Sequence, residues 1–129
     1  MINKVNGKIK INEKLVIDSE FTFKDFKRTC YYNNQNEERM IYLEGEQIID
    51  NNKFYVRFFF RNNLIYSVLL MVADTSISEE NEMQRKKIHD EILTNTNIVV
   101  GKEYVWGKVL SEYDGKSNCC DIIIIYKHN

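Results

Sequence analysis

The chain has 129 residues and a mass of 15.4 kDa, of which 43% are hydrophobic and 29% are charged. This length and balance predict one globular domain over residues 1–129 and argue against a disordered chain. With 18 basic and 19 acidic residues the net charge is −1, whereas dedicated nucleic-acid binders usually carry a basic surplus. No apolar run approaches the roughly 20 residues that span a bilayer, so we expect no membrane partner.

Cellular location is predicted from the N-terminus and the cysteines. Residues 1–7 carry neither an apolar stretch nor a small-residue cleavage site, so we expect no secretory signal. The odd number of cysteines, three, is typical of free thiols in a reducing cytosol. Abundant Asn, Lys and Ile indicate an AT-rich gene of a bacterium or a phage. Together these features favour a cytoplasmic bacterial protein.

The first forty residues predict strands followed by a helix. Residues 8–18 alternate loosely between apolar and polar, which fits two short strands or one bent strand. Thr22 and Asp25 then resemble a capping box at a helix start. Phe23, Phe26 and Cys30 recur at helical spacing, so we expect this helix to cover one face of a sheet with Cys30 on its apolar stripe.

The centre of the chain carries the strongest strand signal. Residues 54–61 alternate, residues 64–72 form the return strand, and Asn62-Asn63 supplies a turn, because Asn tolerates positive φ. Residues 40–49 should pair on the other side of the first strand, with Gly45 marking a bulge or a break.

A second helix and a second hairpin are predicted in the last third. The helix, about residues 79–94, has a thin apolar stripe of Ile77, Ile88 and Ile92, so we expect it to be peripheral and His89 to be exposed. Residues 104–113 and 119–126 then form a hairpin. The predicted order is β-α-β-β-β-α-β-β, an α+β fold with a twisted antiparallel sheet of about five or six strands, one packed helix and one peripheral helix.

Motifs for catalysis are weak in this sequence. Gly115-Lys116-Ser117 matches the end of a phosphate-binding loop, but Leu110 stands where that loop needs glycine and a strand follows it. Cys119 and Cys120 are adjacent and so should point to opposite faces of a strand, one buried and one half-exposed. We therefore predict no catalytic residues, no cofactor and no metal site.

Aromatic residues supply the candidate interaction or pocket residues. Trp and Tyr are frequent anchors of protein interfaces, although such rings fill protein cores more often. On the central strand Arg57 and Arg61 alternate with Tyr55 and Phe59, which marks one sheet face as the wetter one. The candidates in the last third are Tyr104, Trp106, Tyr113, Asp114, Lys116 and Ser117.

The last third also carries a resemblance. Residues 104–117, with the pattern W-G-x-V-x-S-x-Y-D-x-K, and the isoleucine-rich strand after them resemble the end of a group of small bacterial proteins that have no assigned activity. Residues 48–63 and 85–90 look similar to the same group. The resemblance implies a shared fold and carries no activity with it.

The sequence favours a small, non-catalytic protein-interaction module, similar in size to inhibitors and immunity proteins. Its partner is expected to be a protein and not a nucleic acid. The alternative is a small-ligand binder with an aromatic pocket between the first helix and the sheet. An enzyme is the third possibility.

Overall fold

A computed structural model describes residues 1–74 and 76–128, and of Glu79 only the backbone. The elements, in chain order, are β1 (Ile9–Asn12), β2 (Leu15–Ile17), α1 (Phe23–Phe26), β3 (Ile41–Tyr42), β4 (Gln47–Ile49), β5 (Asn52–Arg61), β6 (Leu64–Val72), a 3₁₀ turn (Glu79–Asn81), α2 (Glu82–Asn95), β7 (Gly107–Asp114) and β8 (Cys119–Tyr126). None of the described helices is long and apolar enough to cross a membrane.

Among the described residues the main sheet has six strands, and all of their pairings are antiparallel. Its order is β3-β5-β6-β8-β7, with β4 paired to the other end of β5, while β1 and β2 form a separate hairpin. The predicted α+β class with a twisted antiparallel sheet is confirmed. Gly45, at φ 77°, breaks the predicted strand over residues 40–49 into β3 and β4.

Asparagine and aspartate build the two tight turns of the meander. Asp50 and Asn51, between β4 and β5, have φ of 48° and 69°, and Asn62 and Asn63, between β5 and β6, have φ of 50° and 69°. Two consecutive residues at positive φ are what a type I′ two-residue hairpin turn requires, and the geometry of that turn matches the twist of the flanking strands. These turns set the register of β4, β5 and β6.

Helix α1 begins as predicted but is only one turn long. The Thr22 hydroxyl accepts from the Asp25 amide and the Asp25 carboxylate accepts from the Thr22 amide, so the capping box is present. After Phe26 the chain tightens into i→i+3 bonds, and the Thr29 hydroxyl donates to the Phe26 carbonyl at 2.7 Å. The helix therefore ends before Cys30, and the prediction that Cys30 lies on a buried stripe is wrong, since its side chain is exposed.

One face of the main sheet, which we call the core face, is dry. Its buried residues on the central strands include Phe54, Val56, Phe58 and Phe60 of β5 and Ile122 and Ile124 of β8. The β1–β2 hairpin contributes Ile9, Ile11, Leu15 and Ile17 to the same core. The ring of Phe26 in α1 packs edge-on against Phe58 at 5.3 Å between centroids.

Helix α2 packs on the core face over β6, β8 and β7. Its buried residues are Glu82, His89 and Leu93, and Met83 is 52% exposed. The predicted apolar stripe is only half-buried, at Ile88 and Ile92. The prediction of an exposed His89 is wrong, because its ring is fully buried and its Nε2 accepts a hydrogen bond from the Val72 amide at 3.0 Å.

Candidate functional site

The opposite side of the main sheet, which we call the outer face, is the candidate site. Side chains alternate along a strand and align across it, so the register assigns each residue to a face. The outer-face residues are Tyr42, Ile48, Lys53, Tyr55, Arg57, Phe59, Arg61, Leu64, Tyr66, Ser67, Leu69, Met71, Lys108, Leu110, Glu112, Asp114, Cys119, Asp121, Ile123 and Ile125.

Within residues 1–74 and 76–128, no helix or hairpin packs on the outer face. The contacts of α1, of α2 and of the β1–β2 hairpin lead to the core face instead. Every outer-face residue except Ser67 keeps some solvent exposure, and Tyr42 and Ile48 are 66% and 65% exposed. A sheet covered on one side only is common among antiparallel folds, but its open side is then usually polar.

The middle of the outer face is apolar. One row of directly paired residues crosses all five sheet positions, in the order Tyr42, Arg57, Leu69, Ile123 and Leu110. The neighbouring rows add Met71 and Ile125, which are half-buried. Leu69, Ile123 and Leu110 of this row form a band of apolar surface across β6, β8 and β7, which Arg57 borders on β5.

A β-bulge adds an aromatic cluster at one corner of the outer face. The register between β5 and β6 shifts between Phe59 and Phe60, so one more residue of β6 is accommodated there. Tyr66 packs edge-on against Phe59 at 6.0 Å between centroids, and the Arg61 guanidinium lies 3.8 Å from the centre of the Tyr66 ring. Both rings remain partly exposed.

An ion pair lies within the apolar surface. Arg57 on β5 reaches across β6 to the carboxylate of Asp121 on β8, and their side chains are only 21% and 13% exposed. Burial raises the pKa of Asp121, and the hydrogen bond and charge of Arg57 offset part of that rise. The pair places two charges beside the apolar residues of the outer face and keeps them partnered.

The candidates that sequence reasoning favoured do not form one surface. Trp106 is 4% exposed, its Nε1 donates to the Lys4 carbonyl at 2.8 Å, and the half-buried Tyr104 stacks on it at 5.3 Å between centroids. Gly107 does not leave space for a partner, because a Cβ there would overlap the Ile125 carbonyl. The indole instead faces Gly7, where a Cβ would lie 2.5 Å from two ring carbons.

The other candidates lie at the far end of β7. Tyr113 is 39% exposed and donates to Asn118 at 3.0 Å, and Asp114 accepts from the Lys116 amide at 2.9 Å. Lys116 and Ser117 are exposed in the turn between β7 and β8. Only Asp114, at the corner, belongs to the outer face, so the structure separates this turn from Trp106 by the length of β7.

The space predicted for an aromatic ligand pocket is occupied by side chains. Phe23 and Phe26 of α1 pack edge-on against Phe60 and Phe58, at 5.4 and 5.3 Å between centroids. A cavity of about 460 Å³ lies beyond α1, between the following segment and β3. Its lining residues are Cys30, Tyr31, Tyr32, Asn33, Gln35, Tyr42, Leu43 and Glu44.

A buried polar cluster joins α2 to the sheet. Glu82 pairs with Arg85 at 2.7 Å and accepts from the Cys120 amide at 3.2 Å, and Arg85 donates to the Val72 carbonyl. Cys120 is buried and Cys119 is half-exposed, as the sequence predicts. The groups of this cluster satisfy one another, and it therefore anchors the helix. Among the described residues, no three His, Cys, Asp or Glu side chains are grouped to hold a metal ion.

Sequence reasoning recognised the outer face only on β5, through the alternation of Arg57 and Arg61 with Tyr55 and Phe59. The apolar outer residues of β6 and β8 were missed, because apolar side chains are assigned to a core by default. The available signal was that β6 and residues 122–125 are apolar on both faces. Such continuous runs are typical of strands that are buried on both sides.

Among known proteins, no family, no curated protein and no solved structure matches this chain. The resemblance of residues 104–117 to small bacterial proteins therefore stays a prediction.

Proposed function

We propose that this protein is a non-catalytic interaction module that binds another protein through the outer face of its sheet. The observation that carries the proposal is the open apolar band of Leu69, Ile123 and Leu110, which spans neighbouring strands in direct register. Large contiguous apolar patches are uncommon on isolated soluble proteins and usually mark interaction sites.

The sequence of the two central strands supports this proposal. In β6 the core-facing Val68 and Leu70 alternate with the outward-facing Leu69 and Met71, and β8 repeats the pattern with its four isoleucines. Central strands whose outer face stays exposed to water usually carry polar residues on that face. Apolar side chains on both faces are typical of a strand that is covered on both sides, here by the core and by a partner.

The aromatic residues at the margin supply anchors of the kind that interfaces favour. Tyr42 and Tyr55 protrude, at 66% and 44% exposed, and Arg61 lies on the Tyr66 ring. Tyrosine and arginine are enriched among the residues that dominate binding energy. The partnered Arg57 and Asp121 add polar groups, which favour a specific orientation over indiscriminate adhesion.

The proposal is tested by comparing three forms of the protein as immobilised bait in a lysate of cells that carry its gene: the natural chain, Ile123→Lys and Val105→Lys. Val105 is 93% exposed away from the outer face and serves as the matched control. A protein retained by the natural chain and by Val105→Lys, but not by Ile123→Lys, is then purified, and its affinity for all three forms is measured by calorimetry.

We expect Ile123→Lys to weaken binding of that purified protein by about 100-fold or more, because a charge in the centre of an apolar interface loses its hydration. The proposal fails if the purified protein binds all three forms equally. It also fails if no protein is retained by the natural chain and by Val105→Lys but not by Ile123→Lys. A second copy of this chain counts as such a protein.

A further inference from the structure

We propose that the partner of the outer face is a second copy of this chain, in a two-fold symmetric dimer with the two sheets packed face to face. This inference rests on the proposed function and names its partner. The arrangement of charge on the outer face is the observation that favours a second copy over an unrelated protein.

The outer face carries opposite charges on its two flanks. On the β5 flank the outward charges are Lys53, Arg57 and Arg61, all basic. On the other flank Asp121 of β8 and Glu112 and Asp114 of β7 are acidic, and Lys108 is the one basic residue among the outward-facing positions of β7 and β8. The outer face is therefore basic on β5, apolar on β6, and both apolar and acidic on β8 and β7.

A surface of this kind is complementary to itself under a two-fold rotation. In a symmetric dimer both subunits use the same patch. The side chains of one flank must therefore be complementary to those of the other flank on the second copy. An axis parallel to the strands, between β6 and β8, would place β5 of each copy over β7 of the other. The basic flank would then face the acidic flank twice.

The register sets which groups would meet in this arrangement. The pairings through β6 and β8 place Arg57 level with Leu110 and Phe59 level with Lys108. Extending the same register places Tyr55 level with Glu112 and Lys53 level with Asp114. The dimer would therefore place Lys53 opposite Asp114 and the Lys108 ammonium opposite the Phe59 ring, which is a favourable cation–π pairing. Leu69 would lie over Ile123 at the axis.

The size of the outer face suits a dimer interface. The outer face is five strand positions wide, at about 4.8 Å between strands, and about eight residues long, at a rise of about 3.3 Å per residue. These dimensions give a plane of roughly 600 Å². Side-chain relief makes the accessible surface larger than this plane, and a standard interface buries about 800 Å² per partner. Two aligned sheets packed about 10 Å apart would form a sandwich in which β6 and β8 are buried on both sides.

The first test is sedimentation equilibrium of the natural chain from about 1 to about 500 µM at low ionic strength. We expect a monomer–dimer equilibrium that Ile123→Lys abolishes within this range. Val16→Lys is the matched control, because Val16 is 40% exposed on β2, outside the outer face, and this variant should dimerise as the natural chain does.

The second test uses charge reversal on the two flanks. In the dimer, Lys53→Glu places an acidic residue opposite Asp114 of the other copy, and Asp114→Lys places a basic residue opposite Lys53 of the other copy. Each variant alone should dimerise roughly five- to tenfold more weakly than the natural chain, and mixing the two should restore the natural affinity within about twofold. Asp114→Asn retains an oxygen for the Lys116 amide, so it should weaken dimerisation less than Asp114→Lys.

A natural chain that stays monomeric over the whole range overturns the dimer. So does a dimer that survives Ile123→Lys, or a mixture of the two charge variants that associates no better than either one alone. These results decide whether the partner is a second copy, whereas the capture and calorimetry decide whether any protein binds the outer face.

Discussion

His89 is the residue whose environment departs most from what its type suggests. Its ring is fully buried, and Nε2 accepts from the Val72 amide, so the neutral ring carries its proton on Nδ1. Among the described residues Nδ1 has no hydrogen-bond partner. Burial, together with the nearby Arg85 and Lys86 charges and against the opposing charge of Asp90, lowers the pKa of His89 from 6.5 to about 4.

This environment predicts a loss of stability in mild acid. Between pH 6.5 and about 4 the unfolded chain binds a proton at His89 that the folded chain does not, so the free energy of unfolding falls as the pH falls through this window. The contribution is complete above pH 6.5 and amounts to roughly 3 kcal/mol at most. Urea denaturation at a series of pH values measures it.

His89→Gln should flatten this pH dependence, because an amide oxygen can accept from Val72 and does not titrate. His128→Gln is the control, since His128 is exposed near the end of the chain. If the His89→Gln variant retains the full slope between pH 6.5 and 4, the neutral buried ring is not its cause.

Trp106 is a core residue at the junction of the N-terminal segment and the last hairpin. It contacts the rings of Tyr104 and Tyr126, and its Nε1 donates to the Lys4 carbonyl. Trp106→Ala should therefore lower the free energy of unfolding by about 3–5 kcal/mol, while Val105→Ala should change it by less than about 0.5 kcal/mol. Equal denaturation midpoints for the two variants would contradict a buried indole.

At the scale of the elements, the tight turns offer the cleanest test of local backbone control. Asn51 has φ 69° and an exposed side chain, so its effect on stability comes from the backbone. Asn51→Val should cost about 1–2 kcal/mol, because a β-branched residue is strained at positive φ, and Asn51→Gly should cost nothing or stabilise slightly. A valine variant as stable as the glycine variant would exclude this turn geometry.

Elements that are determined locally could be predicted from the sequence. The alternation in β5 and the Asn62-Asn63 turn identify the central hairpin, since both are properties of neighbouring residues. The capping box of α1 is local as well. The length of α1 was not predictable, because contacts of Tyr32 with Phe23 and Phe26 fold the chain back after one turn.

The packing side of α2 could not be predicted for a different reason. Its buried positions include Glu82 and His89, which hydrophobic patterning assigns to solvent. Their burial depends on the Arg85, Cys120 and Val72 groups that the fold brings to them. A buried polar residue becomes recognisable only when its partners are known, and these partners come from distant segments.

At the scale of the whole molecule, the described residues form a sheet that is covered on one side. Both helices and the β1–β2 hairpin lie on the core face, and the described chain leaves the outer face with an apolar centre and charged flanks. Alternation in the sequence identifies two faces but does not say which one is covered, so the candidate surface emerged only with the fold. The outer face connects the architecture of this protein with its proposed role in binding.

The most direct test of this account compares lysine substitutions at two adjacent isoleucines of β8, which point to opposite faces. The measurement is the free energy of unfolding by urea, at a concentration where the protein is monomeric. Ile123→Lys on the outer face should cost less than about 1 kcal/mol, whereas Ile122→Lys on the core face should cost more than about 4 kcal/mol or prevent folding. Equal, large losses at both positions would mean that the outer face is covered within the monomer, and would contradict the account.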